Sequence, residues 1–191
     1  IREIHHRVKN NLQTVSALLR LQSRRSDEDA VKVALAEAER RVQAIATVHA
    51  ALSQNVDESV DFDEVSRTIV CMAGAIASTD HGVEVITTGT FGTISADQAQ
   101  ALATVLNELV ANSVEHGLAD RDGRIEVCAQ RDDLSMKVTV ADEGVGFVPG
   151  TPMSGLGTQI VHQMVRGELR GSIEWAPREG GGTLVTLWVN L

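Results

Sequence analysis

Apolar residues recur at every third or fourth position through the first fifty residues. They run Ile4, Val8, Leu12, Val15 and Leu19, then Val31, Leu35, Ala38, Val42, Ile45, Val48 and Leu52. That period is the one an amphipathic helix shows. The polar run at 23–27 interrupts it, and Ser26 or Asp27 offers a cap for the helix that follows. Two such helices joined by a short turn predict an antiparallel hairpin. One hairpin cannot cover both of its apolar stripes, so the expected arrangement is a homodimer with four helices in a bundle.

Beyond a polar stretch at 53–60 the pattern changes. It predicts a helix over 62–77, a strand over 83–88 and a longer helix over 95–116. Strands at 123–130 and 134–141 form a hairpin turning at Arg131, Asp132 and Asp133. A loop rich in Gly and Pro spans 144–157. A helix over 157–167 and strands at 171–176 and 183–189 complete the series. Helices mixed with antiparallel strands predict an α+β sandwich, with helices on one face of a sheet. The domains read from this are a helical hairpin at 1–54, a linker at 55–61 and a second unit at 62–191.

Composition narrows the class. The 191 residues are 43% hydrophobic and 23% charged, which is enough to build a core. There is no Tyr, so the core rests on Val, Ile, Leu and Ala. A net charge of -9 argues against nonspecific nucleic-acid binding, which needs a basic surface. Cys71 and Cys128 lie in apolar stretches without metal-ligand spacing, and are expected to be reduced and buried in a cytoplasmic protein. No apolar run reaches the ~18 residues of a membrane helix. The chain begins at Ile1, already inside a helical pattern, so an upstream sensory part is expected to precede it.

Candidate chemistry sits in both halves. On the first helix, His6 points roughly 170° from the apolar stripe and His5 about 70° from it, so His6 is the more exposed of the two. An exposed, neutral imidazole near pH 7 has a free lone pair and can act as a nucleophile. In the second half, Glu108 and Asn112 share one helix face and offer hard oxygen ligands of the kind magnesium prefers. Asn107 lies on the same helix. Asp142 ends an apolar strand, where its carboxylate can accept from an exocyclic amine, and Gly144 and Gly146 allow a close turn. Gly155, Leu156 and Gly157 open a helix whose free N–H groups suit phosphate. Gly182 and Thr183 precede the last strand.

These segments, taken in order, resemble the ATP-binding domain that histidine kinases share with gyrase, the Hsp90 chaperone and MutL, the Bergerat fold. The stretch from Leu106 to Gly117 looks like the Asn-containing box of that family. Asp142 to Gly146 and Gly155 to Gly157 look like its glycine boxes, with Gly182 and Thr183 the last of them. Residues 1–25, with His6-Arg7-Val8-Lys9-Asn10, resemble the acceptor helix of sensor histidine kinases related to the HWE group. The resemblance implies ATP and magnesium as cofactors, His6 as phosphoacceptor, Asn112 on the metal and Asp142 on adenine. It implies that Glu108 supports metal, water or proton transfer. Asn107, His116, Gly144, Gly146 and Gly155 would belong to the nucleotide site, together with Leu156, Gly157 and Thr183. Residues 147–156 would form a mobile lid. A response-regulator aspartate would then receive the phosphoryl group.

Two features depart from the commonest histidine kinases. Arg7 stands where an acidic residue usually follows the acceptor, which leaves Glu3 or Glu108 to assist. The Phe-containing box is missing in recognisable form, although Phe147 follows the first glycine box. The rival readings on the same fold are an ATPase, a catalytically degenerate dimeric scaffold and a serine kinase.

Overall fold

The computed structural model describes residues 2–52, 59–77, 82–119, 121–146, 148, 150 and 155–191, without the side chains of 2–7, 9, 51, 52, 73–77 and 156. Two helices, α1 (Arg2–Arg25) and α2 (Asp29–Leu52), pack antiparallel. In their turn the Ser26 hydroxyl accepts from the Glu28 N–H at 3.2 Å. Arg20 pairs across the hairpin with Glu39. The far end of α2 enters the main core, where Val48 is fully buried. The linker expected at 55–61 falls partly outside the described residues, which resume at Ser59.

From there the chain forms β1 (Ser59–Asp61), α3 (Phe62–Ala77), β2 (Val83–Gly89), β3 (Thr93–Ser95) and α4 (Ala96–Asn112). A π-helical turn, Ser113–Leu118, extends α4. Then come β4 (Gly123–Arg131), β5 (Ser135–Asp142), α5 (Leu156–Arg166), β6 (Ser172–Pro177) and β7 (Thr183–Asn190). Five strands make one sheet in the order β2-β4-β5-β7-β6, and β1 pairs with β3 in a separate ribbon. Helices α3, α4 and α5 bury one sheet face through Ile69, Leu102, Leu106 and Val161 against Ile125, Val127, Val138 and Leu187.

Three expectations need correction. The main sheet is mixed, because β2 pairs parallel with β4. The chain passes through β3 and α4 between those strands, and a crossover of that length brings it back in the same direction. Part of the expected linker is strand β1, whose Val60 is fully buried. The cysteines are not buried. Cys71 is exposed on α3, and Cys128 is only half-buried. On β4 the alternation sends Val127 and Ala129 to the helices and Cys128 to the opposite face.

Candidate functional site

The site begins where α4 changes its winding. Asn112 is the last α-helical residue, and the chain then widens into the π-helical turn, a distortion frequent at functional sites. The turn closes at Ala119, a left-handed residue whose N–H bonds the Val114 carbonyl. Gly117 lies inside it against the end of β5. A Cβ on Gly117 would stand 2.8 Å from Asp142 Cγ, and one on Gly144 would collide with the Gly117 carbonyl. Those two glycines therefore let the helix end and the strand end meet around the Asp142 carboxylate.

Asp142 is 3% exposed. Its Oδ1 accepts from the Gly144 N–H at 2.9 Å and the Thr183 N–H at 3.2 Å. No described residue donates to Oδ2, so the carboxylate is fixed by one oxygen and has acceptor capacity on the other. That fits recognition of an amine. At the opposite wall, α5 starts from Gly155 with no side-chain cap, so its first N–H groups are free to meet an anion.

Between these features lies a cavity of about 560 Å³. That size suits a nucleotide-sized ligand. Of the residues nominated from the sequence, Glu108, Asn112, His116, Asp142, Gly146, Gly155, Gly157 and Thr183 line it. Gly144 stands behind it, packed on Gly117. Asn107 does not face it. At 100° per residue Asn107 and Asn112 project about 140° apart, whereas Glu108 and Asn112 differ by about 40°. Asn107 instead lines a second groove with Met72, Ala111 and Val114, and its Nδ2 is buried without a partner. The backbone of His6 is helical in α1. The side chains of Glu3, His5, His6, Arg7, Lys9 and Leu156, and the lid residues 147, 149 and 151–154, lie outside the described residues.

The hairpin contributes groups that no local motif signalled. Glu37 and Arg40 of α2 line the cavity. Arg41 holds Glu108 with two bonds, Nε to Oε1 at 2.7 Å and Nη2 to Oε2 at 3.1 Å. Arg40 pairs with Glu115 at 2.9 Å. The hydrogen bond that Arg41 donates to Glu108 raises its pKa further above the ordinary value, against the opposing effect of burial. Trp175 also lines the cavity and packs at a tilt against His162 of α5, with centroids 5.1 Å apart. Its strand position gave no hint of this, since β6 reaches the site only through the sheet order.

Among the described residues no group of three or more His, Cys, Asp or Glu could hold a metal. The Asn112 carboxamide faces the cavity, while Glu108 is already engaged by Arg41. That suits an ion taking one or two protein ligands and completing its shell with phosphate and water, as magnesium does.

Comparison with known proteins agrees with this geometry. Residues 3–75 match a family model described as histidine kinase. Residues 97–191 match one described as histidine kinase-, DNA gyrase B-, and HSP90-like ATPase. Over 99% of its length the chain is 44% identical to the sensor histidine kinase PdtaS of Mycobacterium tuberculosis, and it spans 39% of that relative. It is 29% identical, over 90% of its length, to a blue-light-activated histidine kinase of Rhizobium johnstonii, and spans 48% of that protein. The solved histidine kinase domain of the Erythrobacter litoralis EL346 blue-light activated histidine kinase shares the fold. Its TM-score is 0.72 at 19% identity, covering 99% of this chain and 94% of that one.

Proposed function

This chain belongs to the histidine kinases, and from that premise we propose that it transfers the γ-phosphoryl group of ATP to His6. The His6 lone pair attacks phosphorus in line, the bond to the β–γ bridging oxygen breaks, and ADP leaves with the electron pair. The product is a phosphohistidine. Asp142 takes the adenine amine through Oδ2. The free N–H groups at the start of α5 receive phosphate oxygens, and Gly146 and Thr183 line the pocket around the nucleotide. Asn112 holds magnesium, which when bound neutralises phosphate charge. Glu108 assists by metal, water or proton contact. Because ATP supplies the leaving group, the work of the protein is positioning and charge stabilisation.

The observation that supports this reading best is convergence. Asn112, Asp142 and the α5 N-terminus meet on one cavity, and that cavity abuts the hairpin bearing His6. We further propose a hairpin at 1–54, a linker from 55 whose last residues, Ser59–Asp61, already belong to the ATP domain as β1, the rest of that domain at 62–191, and a homodimer formed by the hairpins. An upstream sensory domain and a response-regulator aspartate as the next acceptor complete the reading, in the cytoplasm. No described helix is long and apolar enough to cross a membrane.

The test labels wild type, His6→Gln and His5→Gln with γ-labelled ATP and magnesium. Acid-labile label on wild type and His5→Gln, and none on His6→Gln, is the expected result. Label lost only in His5→Gln moves the acceptor. ATP binding without label in any of the three favours an ATPase or a scaffold.

A further inference from the structure

Two ion pairs join α2 to the ATP site, and one of them engages a residue assigned above to the transfer. Glu108 is the carboxylate nearest the reaction as proposed above, yet Arg41 occupies both of its oxygens. The pair is well enclosed, with side-chain exposures of 15% for Arg41 and 8% for Glu108. Gly157 closes the other side, where a Cβ would collide with Glu108 Oε2. The carboxylate is thus clamped between the hairpin and the start of α5. About two turns beyond Glu108, past the end of α4, Arg40, the neighbour of Arg41, holds Glu115 from the π-helical turn.

The level of this contact on the hairpin matters. Measured from the turn at 1.5 Å per residue, the backbone of His6 and that of Arg41 differ by about 10 Å along the bundle axis. Transfer needs the reacting atoms about 3–3.5 Å apart. The cavity opens beside Glu37 and Arg40, farther still from the acceptor's level. The docked arrangement therefore holds the nucleotide site about two to three helical turns short of His6.

We infer that Arg41–Glu108 and Arg40–Glu115 form a charged latch that keeps the ATP domain docked on the wrong level of its own hairpin, with the reactive carboxylate neutralised until the latch opens. A buried pair is suited to such a role. Its attraction and its desolvation cost nearly cancel, so it fixes geometry while contributing little net stability. Three of the four charges have an alternative partner in the proposed reaction, Glu108 in a bound metal and the arginines in phosphate, and the exposed Glu115 has water. Opening the latch exchanges partners and leaves no buried charge stranded. The inference rests on His6 and Glu108 serving the reaction proposed above.

The test separates conformation from activity. In a Cys71→Ser/Cys128→Ser background, labels are placed at the exposed positions Glu28 and Lys137 through cysteine substitution. Doubly labelled chains are diluted into unlabelled protein, and the distance distribution is measured. Arg41→Gln is expected to broaden the distribution. The reversed pair, Arg41→Glu with Glu108→Arg, is expected to restore it. In unlabelled protein, Arg41→Gln is expected to raise the initial rate of acid-labile labelling at saturating ATP by about fivefold or more, as a shift in a two-state population would. Glu115→Gln, at an exposed side chain, repeats the test if Arg41→Gln fails to fold. An unchanged distribution, or slower labelling with ATP still bound, overturns the latch. If wild type takes no acid-labile label while the distances respond as expected, the kinase reading falls, and the ion pairs are a docking contact with no role in transfer.

Discussion

At the scale of single residues, Asp142 shows how one carboxylate can serve the fold and the ligand at once. Oδ1 is spent on two backbone N–H groups, from Gly144 and Thr183, which tie the end of β5 to the loop after it and to the start of β7. Oδ2 is the oxygen proposed for the base. The two functions can be separated by Asp142→Asn. The amide keeps an oxygen for both backbone donors but presents N–H groups where the adenine amine must donate. We expect ATP affinity to fall about 100-fold, roughly 2.7 kcal/mol, as when a paired group loses its partner in a buried site. The melting temperature should move by no more than about 4 °C, because the bonds within the fold remain. Calorimetric titration and a thermal melt on the same sample decide it. Equal affinity in variant and wild type would show that Asp142 does not read the base.

At the scale of elements, the ribbon of β1 and β3 is the part least expected from the chain. Asp63, in the first turn of α3, accepts from the Phe91 N–H at 2.8 Å and the Gly92 N–H at 3.1 Å, just before β3. Phe91 and Phe62 are both fully buried, with ring centroids 5.2 Å apart. Asp63→Ala removes both acceptors, and an unmet buried donor costs about 1–3 kcal/mol. We therefore expect a loss of about 2–3 kcal/mol in urea unfolding. Nucleotide affinity should be unchanged, since Asp63 does not line the cavity. A matching loss of affinity would mean that the ribbon positions the site. The ribbon also shows what a one-dimensional pattern can reveal. Long periodic segments such as α1, α2 and α3, and the β4–β5 hairpin, announce themselves through local repeats. Three-residue strands have no room for an alternation, and the parallel partner of β2 is chosen by a crossover. At the site the same division holds. The spacing of Gly144, Gly146, Gly155 and Gly157 and the acid at Asp142 mark a nucleotide pocket locally. Arg40, Arg41 and Trp175 reach it only through packing between distant elements, and helical phase sends Asn107 away from the cavity that Asn112 faces.

At the scale of the whole molecule, the hairpin exposes more apolar surface than one chain can cover. Val15, Leu18 and Leu21 on α1 are 42–54% exposed, while α2 packs against the ATP domain. Val15, Leu18 and Leu21 fall within one sector of α1, and that uncovered stripe is the surface through which we propose that two hairpins form the bundle. This agrees with the latch lying elsewhere, since Arg40 and Arg41 face α4 and the π-helical turn and leave the stripe free. Leu18 is the most exposed of the three α1 residues, at 54%, so its substitution disturbs the monomer least. Burying a leucine is worth about 1.5–3 kcal/mol, and a two-fold interface uses it twice. Leu18→Glu replaces that gain with two desolvated carboxylates facing one another. The dimer dissociation constant is then expected to rise by at least about 100-fold, equivalent to roughly 2.7 kcal/mol. Sedimentation equilibrium across a concentration series, on wild type and variant, measures the shift. Circular dichroism on the same samples should show unchanged helix content, which separates lost association from lost folding. A wild type that sediments as a monomer throughout would mean that the stripe is covered by something other than a second copy of the chain. A variant that still dimerises would place the interface on another face of the hairpin.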